Sequence, residues 1–142
     1  INSAINTSFA DVSTWCAENG YIDYICPQIY WGFEHQTHPF NKVCDDWSAL
    51  VTNKKVKLFI GITLGKAYSK EDQWSGSGKD EWKNYNDIIK RSVEYTLTLD
   101  KCSGVSFFSY QYFYNVKTNE RTSQTADEVD NMLLVFSEAS WK

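Results

Sequence analysis

The sequence predicts an α/β fold built from parallel strands and crossover helices. Helical and β-rich segments alternate in the order αβαβαβα, an order that is typical of strands joined by helices. The predicted strands are continuous apolar runs, as expected of strands covered on both faces. The loops that follow strands are long, whereas the loops that precede them are short. These observations predict about three parallel strands and four helices.

The first two elements are a short helix and a strand. Ser8 is a suitable N-cap for a helix over residues 8–19, and Gly20 stands where a left-handed residue ends helices. Residues 22–30 form a β-rich apolar run that predicts a buried strand. Pro27 interrupts this run and cannot donate a ladder hydrogen bond, so we expect a bulge there or the end of pairing.

The remaining elements follow the same alternation. Pro39 opens a helix whose apolar residues recur at three- and four-residue spacing, namely Phe40, Val43, Cys44, Trp47, Leu50 and Val51. Residues 56–63 predict a second strand, and a polar loop with the composition of a flexible flap covers about residues 64–83. A helix over about 84–99, a strand over 104–110 and a helix over about 125–138 complete the chain.

Loop lengths indicate which edge of the sheet carries function. Helix-to-strand connections are two or three residues long, at 19–20, 53–55 and 101–103, while the strand-to-helix connections are well above the usual length of roughly 2–6 residues. Ligands of parallel α/β folds bind at the carboxyl ends of strands, where the long loops gather. A complete (β/α)8 TIM barrel needs roughly 250 residues. The 142 residues are therefore expected to form one domain, 1–142, that supplies part of such a barrel, and a first residue other than Met suggests a longer protein.

Composition limits the classes of partner. The net charge of −4 is spread without a basic face, which argues against nucleic acid, and the sequence predicts no membrane span. The four cysteines form no CxxC pair and are expected to be free thiols, although disulfides stay possible. Aromatic residues make up 16% of the chain, with six Trp and nine Tyr. Such flat, partly polar rings either enlarge the core or stack on sugar rings.

The strongest candidate site lies where the first strand ends. Gln28 can bond hydroxyl groups in both directions, and Tyr30 or Trp31 can stack on a sugar. Glu34 is a candidate catalytic carboxylate, because a glycosidase needs two carboxyl groups that flank the scissile bond. It could instead bind a substrate hydroxyl or cap the next helix. The neighbouring His35 and His38 fall short of a metal site, and no pattern indicates a metal or other cofactor.

Two later segments add weaker candidates. Lys66 and Trp74 are predicted to contact substrate from the loop after the second strand, although Trp74 and Trp82 could equally anchor that loop. Asp72 or Glu71 is a possible second carboxylate. Tyr110 lies near the end of the third strand and is expected to point toward the barrel axis or the barrel mouth.

These residues resemble a known family. The stretch 21–34, with PQIYWGFE at its end, together with Pro39-Phe40, Trp47, VKLFIG at 56–61 and GVSFFSY at 104–110, is similar to the glycosyl hydrolase-like family 10, the domain of unknown function 187 group. The resemblance implies a bacterial (β/α)8 barrel, often secreted or attached to the cell envelope, that acts on glycans, in some relatives on peptidoglycan strands. The three strands would then be the sixth to eighth of the barrel. Gln28, Tyr30, Trp31 and Glu34 match the family motif, and Tyr110 matches less closely.

Two functions follow as hypotheses. The first is a glycoside hydrolase acting on a polysaccharide or cell-wall glycan through paired carboxylates, with this chain as part of the catalytic barrel and an extracellular or cell-envelope location. The second is a non-catalytic carbohydrate-binding domain or an inactive barrel fragment. The expected partners are a carbohydrate substrate and a further protein segment. Because a three-stranded sheet leaves open edges, that segment is either a second copy of the chain or an N-terminal barrel half that this sequence lacks.

Overall fold

A single parallel sheet organises the chain in the computed structural model, which describes Ile1 and residues 6–136. Its strands are β1 (Tyr24–Ile25), β2 (Lys57–Thr63) and β3 (Cys102–Phe108), in the spatial order β1-β2-β3. Both pairs are parallel, with Tyr24 opposite Lys57 and Thr63 opposite Phe108. The predicted α/β class with three parallel strands is therefore confirmed.

The first strand is shorter than the sequence predicts and lies at the sheet edge. Regular pairing covers Tyr24–Ile25 instead of residues 22–30, because Pro27 has no N–H to donate. The chain nevertheless stays beside β2. The amide of Gly61 donates to the carbonyl of Pro27, and the amide of Ile29 donates to the carbonyl of Gly61, both at 2.9 Å. A Cβ atom on Gly61 would lie 2.9 Å from the Pro27 carbonyl oxygen, so glycine permits this close approach.

The described residues contain more helices than the four predicted. Besides a helical stretch at residues 6–8, the α-helices are α1 (Val12–Ala17), α2 (Phe40–Leu50), α3 (Gly65–Ser69), α4 (Glu81–Asn84), α5 (Ile88–Thr98) and α6 (Ala126–Phe136). Short 3₁₀ turns occupy Gly76–Gly78, Tyr110–Tyr112 and Ser123–Thr125. The predicted polar loop 64–83 thus holds α3, a 3₁₀ turn and the start of α4, because its buried Leu64, Ala67 and Trp82 join the core.

Asp11, rather than Ser8, caps the first helix. Its carboxylate accepts the backbone N–H of Thr14 at 3.1 Å and the Thr14 hydroxyl at 2.7 Å, which satisfies one of the free amides of the first turn. These bonds lower the pKa of Asp11, with the Thr14 side chain as the main cause. Gly20 has a φ of 89°, the left-handed conformation predicted for it, but it lies three residues beyond the end of α1.

The two faces of the sheet differ in their covering. Leu58, Ile60 and Ile62 of β2 are fully buried in the core that α2, α5 and α6 form with the sheet. The opposite face, on which residues alternate with these, carries Tyr24 at 63% and Phe108 at 54% exposure. In the described part of the chain, one face is therefore packed and the other is open.

All four cysteines are free thiols, as predicted. Cys16, Cys44 and Cys102 are buried, and burial raises the pKa of each. Cys26 is half-buried and directly follows the edge strand β1, within the residues 22–30 that the sequence predicts to be a buried strand. Within residues 6–136, no helix combines the length and the apolar character that a membrane crossing requires.

Candidate functional site

The segment 27–34 leaves the sheet at the carboxyl end of β1 and carries the residues singled out from the sequence. Gln28 forms an isolated parallel bridge with Gly61, and its side chain is exposed. Tyr30 stacks on Phe108 at the end of β3, with ring centroids 5.9 Å apart and planes inclined by 23°. Burial raises the pKa of the Tyr30 phenol, with Cys26 as a smaller cause. The phenol is therefore uncharged at neutral pH and available as a hydrogen-bonding group.

Trp31 and two histidines form a cluster beside this segment. The Trp31 ring lies 5.7 Å from His35 and 6.3 Å from His38, and the two imidazoles are 5.6 Å apart. The Nδ1 atom of His35 accepts the backbone N–H groups of Thr37 at 3.3 Å and of His38 at 3.1 Å. Burial lowers the pKa of His35, and the two N–H groups that Nδ1 accepts place the proton of the neutral ring on Nε2.

A cavity of about 730 Å³ opens next to the cluster and is lined by Gln28, Trp31, His35, His38, Asp46 and Trp47, among others. Its walls combine indole rings with an amide, two imidazoles and a carboxylate. Aromatic faces with a few hydrogen-bonding groups around them are the composition expected of a sugar-binding cleft. The structure therefore brings together two of the predicted substrate-binding residues, Gln28 and Trp31.

Glu34 lies between Trp31 and His35 in the chain, and its side chain is exposed. Its backbone is bound on one side by Glu81, whose carboxylate accepts the Glu34 N–H at 2.9 Å. On the other side lies Gly78, where an added Cβ atom would stand only 2.0 Å from the Glu34 carbonyl oxygen. The predicted catalytic residue thus has a solvated carboxylate on a fixed main chain.

The loop after β2 distributes its predicted residues differently. The ammonium of Lys66 contacts the buried carboxylate of Asp72 at 2.8 Å, while the other Asp72 oxygen is buried without a hydrogen-bond partner. Trp74 projects into solvent with 84% of its surface exposed. Trp82 is buried in the core, so of the two tryptophans it is Trp82 that anchors the loop.

Tyr110 lies in the 3₁₀ turn after β3 and is exposed. It stacks on Tyr114 with a centroid distance of 5.7 Å, and its hydroxyl donates to Asn119 Oδ1 at 3.2 Å. Neither Tyr110 nor Trp74 belongs to the described residues that line the cavity at Gln28 and Trp31. Tyr110 does lie two residues beyond Phe108, the ring that stacks on Tyr30.

Reasoning from the sequence missed the roles of Glu81, Gly78 and Phe108. Glu81 is buried, and burial raises its pKa against the opposing effect of two backbone N–H groups and Arg91. Nothing local distinguishes Glu81 from the exposed Glu71 or Asp80, because its partners lie in the segment 27–34. The role of Gly78 was not recognisable either, because a Gly-x-Gly sequence in a polar loop is a common pattern. Among the described residues, no group of three or more His, Cys, Asp or Glu side chains is placed to hold a metal ion.

Comparison with known proteins supplies an independent line of information. The model of the glycosyl hydrolase-like 10 family matches residues 1–76. Glycosyl hydrolase DigH of Escherichia coli strain K12 is 27% identical over 125 residues, which cover 85% of this chain and 27% of the relative. Glycosyl hydrolase YngK of Bacillus subtilis strain 168 is 40% identical over 68 residues, 47% of this chain and 13% of the relative. The chain therefore spans about a quarter of the length of the DigH proteins that it matches.

Proposed function

Because the chain belongs to the glycosyl hydrolase-like 10 family, we propose that it forms part of a glycoside hydrolase that acts on a polysaccharide or cell-wall glycan. Relatives named as glycosyl hydrolases match most of the chain. The observation that carries the proposal is the exposed Glu34 carboxylate on a fixed backbone, in the same segment as Gln28 and Trp31 of the aromatic cavity. We assign Glu34 a proton-transfer role at the glycosidic oxygen or at water.

The architecture agrees with part of a (β/α)8 barrel. Its three strands are parallel, its main helices cover one face of the sheet, and the other face is open. A closed barrel would cover that open face with side chains from further strands. The share of the relatives' length that this chain spans leaves room for those strands.

The second carboxylate of the mechanism is assigned to a part of the complete protein outside this chain. Asp72 is bound to Lys66, and Glu81 is bound to two backbone N–H groups. Both carboxylates are also buried, so neither faces solvent where a glycan could bind. In our proposal, Gln28, Tyr30 and Trp31 contact the sugar, and Lys66, Trp74 and Tyr110 contact more distant parts of the glycan.

A glutamine substitution tests the assignment of Glu34. In the complete protein, Glu34→Gln is expected to lower turnover of purified cell-wall glycan strands at least about tenfold, because the amide cannot transfer a proton. Release of reducing ends measures turnover. Glu94→Gln is the control, since Glu94 is an exposed helix residue paired with Lys90 at 3.8 Å, and it should leave turnover unchanged. Unchanged turnover in Glu34→Gln would remove Glu34 from the mechanism.

A non-catalytic carbohydrate-binding domain is the second candidate function. It is favoured by the environments of Asp72 and Glu81, because Asp72 is buried and paired with Lys66, and Glu81 is buried and bound to two backbone N–H groups, so neither carboxylate is exposed to act on a glycosidic bond. Glycan binding by the complete protein without any release of reducing ends would support this function and exclude hydrolysis.

A further inference from the structure

A buried carboxylate lies directly beneath the turn that carries Glu34. Glu81 has 1% of its surface exposed. Its Oε1 accepts the backbone N–H of Phe33 at 3.0 Å, and its Oε2 accepts that of Glu34 at 2.9 Å. The guanidinium of Arg91 stands 3.5 Å from Oε1. The Glu81 side chain, 47 residues beyond Glu34 in the sequence, thus accepts two consecutive backbone N–H groups of the candidate site.

Two glycines make this contact possible. A Cβ atom on Gly32 would lie 2.0 Å from Glu81 Oε2, and one on Gly78 would lie 2.0 Å from the Glu34 carbonyl oxygen. A side chain at Gly32 would therefore displace the Glu81 carboxylate, and one at Gly78 would displace the backbone of Glu34. The backbone of Phe33 and Glu34 is therefore held between the Glu81 carboxylate and the 3₁₀ turn at Gly76–Gly78.

The burial of the Glu81 carboxylate has a desolvation cost. Burial of a carboxylate is unfavourable unless charge-assisted hydrogen bonds compensate it, and burial is the main cause of the raised pKa of Glu81. An apolar residue would avoid the desolvation of a carboxylate, but it would leave the backbone N–H groups of Phe33 and Glu34 without this acceptor. What the carboxylate adds is a defined orientation of the turn.

From this geometry we propose that Glu81 is a positioning residue that holds the backbone of Glu34 so that the Glu34 carboxylate faces the substrate. The inference rests on the proposed hydrolase function. It assigns Glu81 no contact with substrate, because its carboxylate is buried and fully engaged. Supporting side chains of this kind act on the rate through the group that they orient.

The chain contains a matched control for this inference. Glu128 on α6 is also 1% exposed, and its two oxygens accept the consecutive amides of Ile88 at 3.2 Å and Ile89 at 2.9 Å. Burial is again the main cause of its raised pKa. Glu128 holds the first turn of α5, whereas Glu81 holds the turn that carries Glu34. The two glutamates therefore share chemistry and burial but differ in what they hold.

The experiment compares Glu81→Gln with Glu128→Gln in the complete protein, using cell-wall glycan strands as substrate. In both variants an NH2 group replaces one carboxylate oxygen and cannot accept the second backbone N–H, so both variants should have a lower Tm. We expect Glu81→Gln to lower kcat at least about tenfold with KM within about twofold, whereas Glu128→Gln keeps both constants. The double variant Glu34→Gln/Glu81→Gln should be no slower than Glu34→Gln alone, because Glu81 acts through Glu34.

Each other outcome overturns the inference in a recognisable way. Normal kcat in Glu81→Gln, with a loss in Glu34→Gln, would overturn the positioning role and leave the hydrolase function standing. An equal loss of kcat in Glu128→Gln would show that lower stability, and not the position of Glu34, causes the loss of kcat in Glu81→Gln. If neither Glu81→Gln nor Glu81→Asp folds while Glu128→Gln does, Glu81 is a folding residue. A wild-type protein without turnover would overturn the proposed function and the inference together.

Discussion

At the scale of single residues, glycines determine how closely the segments of the candidate site can approach one another. Gly61 lets the backbone at Pro27 approach β2, and Gly32 and Gly78 let Glu81 and the 3₁₀ turn close on the segment that ends in Glu34. The nearest contacts at Gly61 and Gly78 are backbone atoms, which cannot move aside as the end of a flexible side chain can, whereas the contact at Gly32 is the Glu81 carboxylate. The site should therefore be sensitive to a single added methyl group.

Gly78→Ala is expected to destabilise the complete protein by about 1–3 kcal/mol, the usual cost of overpacking. The new methyl group would overlap the Glu34 carbonyl oxygen, so one of the two backbones must shift. Thermal unfolding measures the loss, and turnover should fall with it because Glu34 moves. Ser77→Ala is the control, since Ser77 is exposed in the same turn and should change stability by less than about 0.5 kcal/mol. Equal stability of both variants would contradict the close packing of Gly78.

At the scale of elements, the helices are joined to one another by polar bonds at their edges as well as by the core. The hydroxyl of Tyr95 on α5 donates to the Asp45 carboxylate on α2 at 2.7 Å. The ammonium of Lys101, just before β3, donates to the Ser48 carbonyl of α2 at 2.9 Å. Such bonds fix how α2 lies against the sheet, and therefore where the segment that precedes α2 can lie.

Tyr95→Phe is expected to lower the free energy of unfolding by about 1 kcal/mol, the net value of one such hydrogen bond. Burial, followed by the bond to Asp45, raises the pKa of Tyr95 from 10.0 to about 12. Because the folded-state pKa lies above the unfolded value, this stabilisation is complete below pH 10 and is lost as the pH rises through about 12.

Denaturant unfolding at neutral pH and an absorbance titration of the phenols check this prediction. The difference between the wild-type and Tyr95→Phe titrations should show one phenol that ionises at about pH 12. Tyr21→Phe is the control, because Tyr21 is exposed ahead of β1 and its removal should leave stability unchanged. A Tyr95 that ionises near pH 10 would contradict both the burial of its ring and its bond to Asp45.

At the scale of the whole molecule, one face of the sheet is open to solvent in the described part of the chain. Tyr24 and Phe108 are large, exposed and on the same face, and β1 is an edge strand. Exposed apolar residues beside an unpaired strand edge favour association with another chain or another part of the same protein. The predicted extracellular or envelope location has no structural test and stays a prediction.

We expect the 142-residue chain by itself to self-associate, with a mass by light scattering that rises with protein concentration. Tyr24→Lys should shift the chain toward monomer, because a charge on the open face opposes its burial. Val116→Lys is the control, since Val116 is 69% exposed but lies in the loop after β3. A monomer at every concentration would show that the open face tolerates water without a partner.

The fold and the site differ in how far the sequence predicts them. Apolar periodicity and loop length were enough for the α/β class, the parallel order and the position of Gln28, Tyr30, Trp31 and Glu34 at the carboxyl edge, because each depends on residues close together in the chain. The short helices of 64–83 were not predicted, because they depend on the burial of Leu64 and Ala67 in the core. The cap was assigned to Ser8, although Asp11 and its partner Thr14 are only three residues apart.

The sequence by itself determined the family resemblance, the sheet and the list of residues that could carry chemistry. Only the tertiary structure decided which of those residues are free to act. Glu34 is exposed, Asp72 is bound to Lys66, and Trp82 is buried while Trp74 is not. It also revealed Glu81 as the partner of Phe33 and Glu34. The physical reason is that the availability of a charged or aromatic group depends on its burial and partners, which come here from distant parts of the chain.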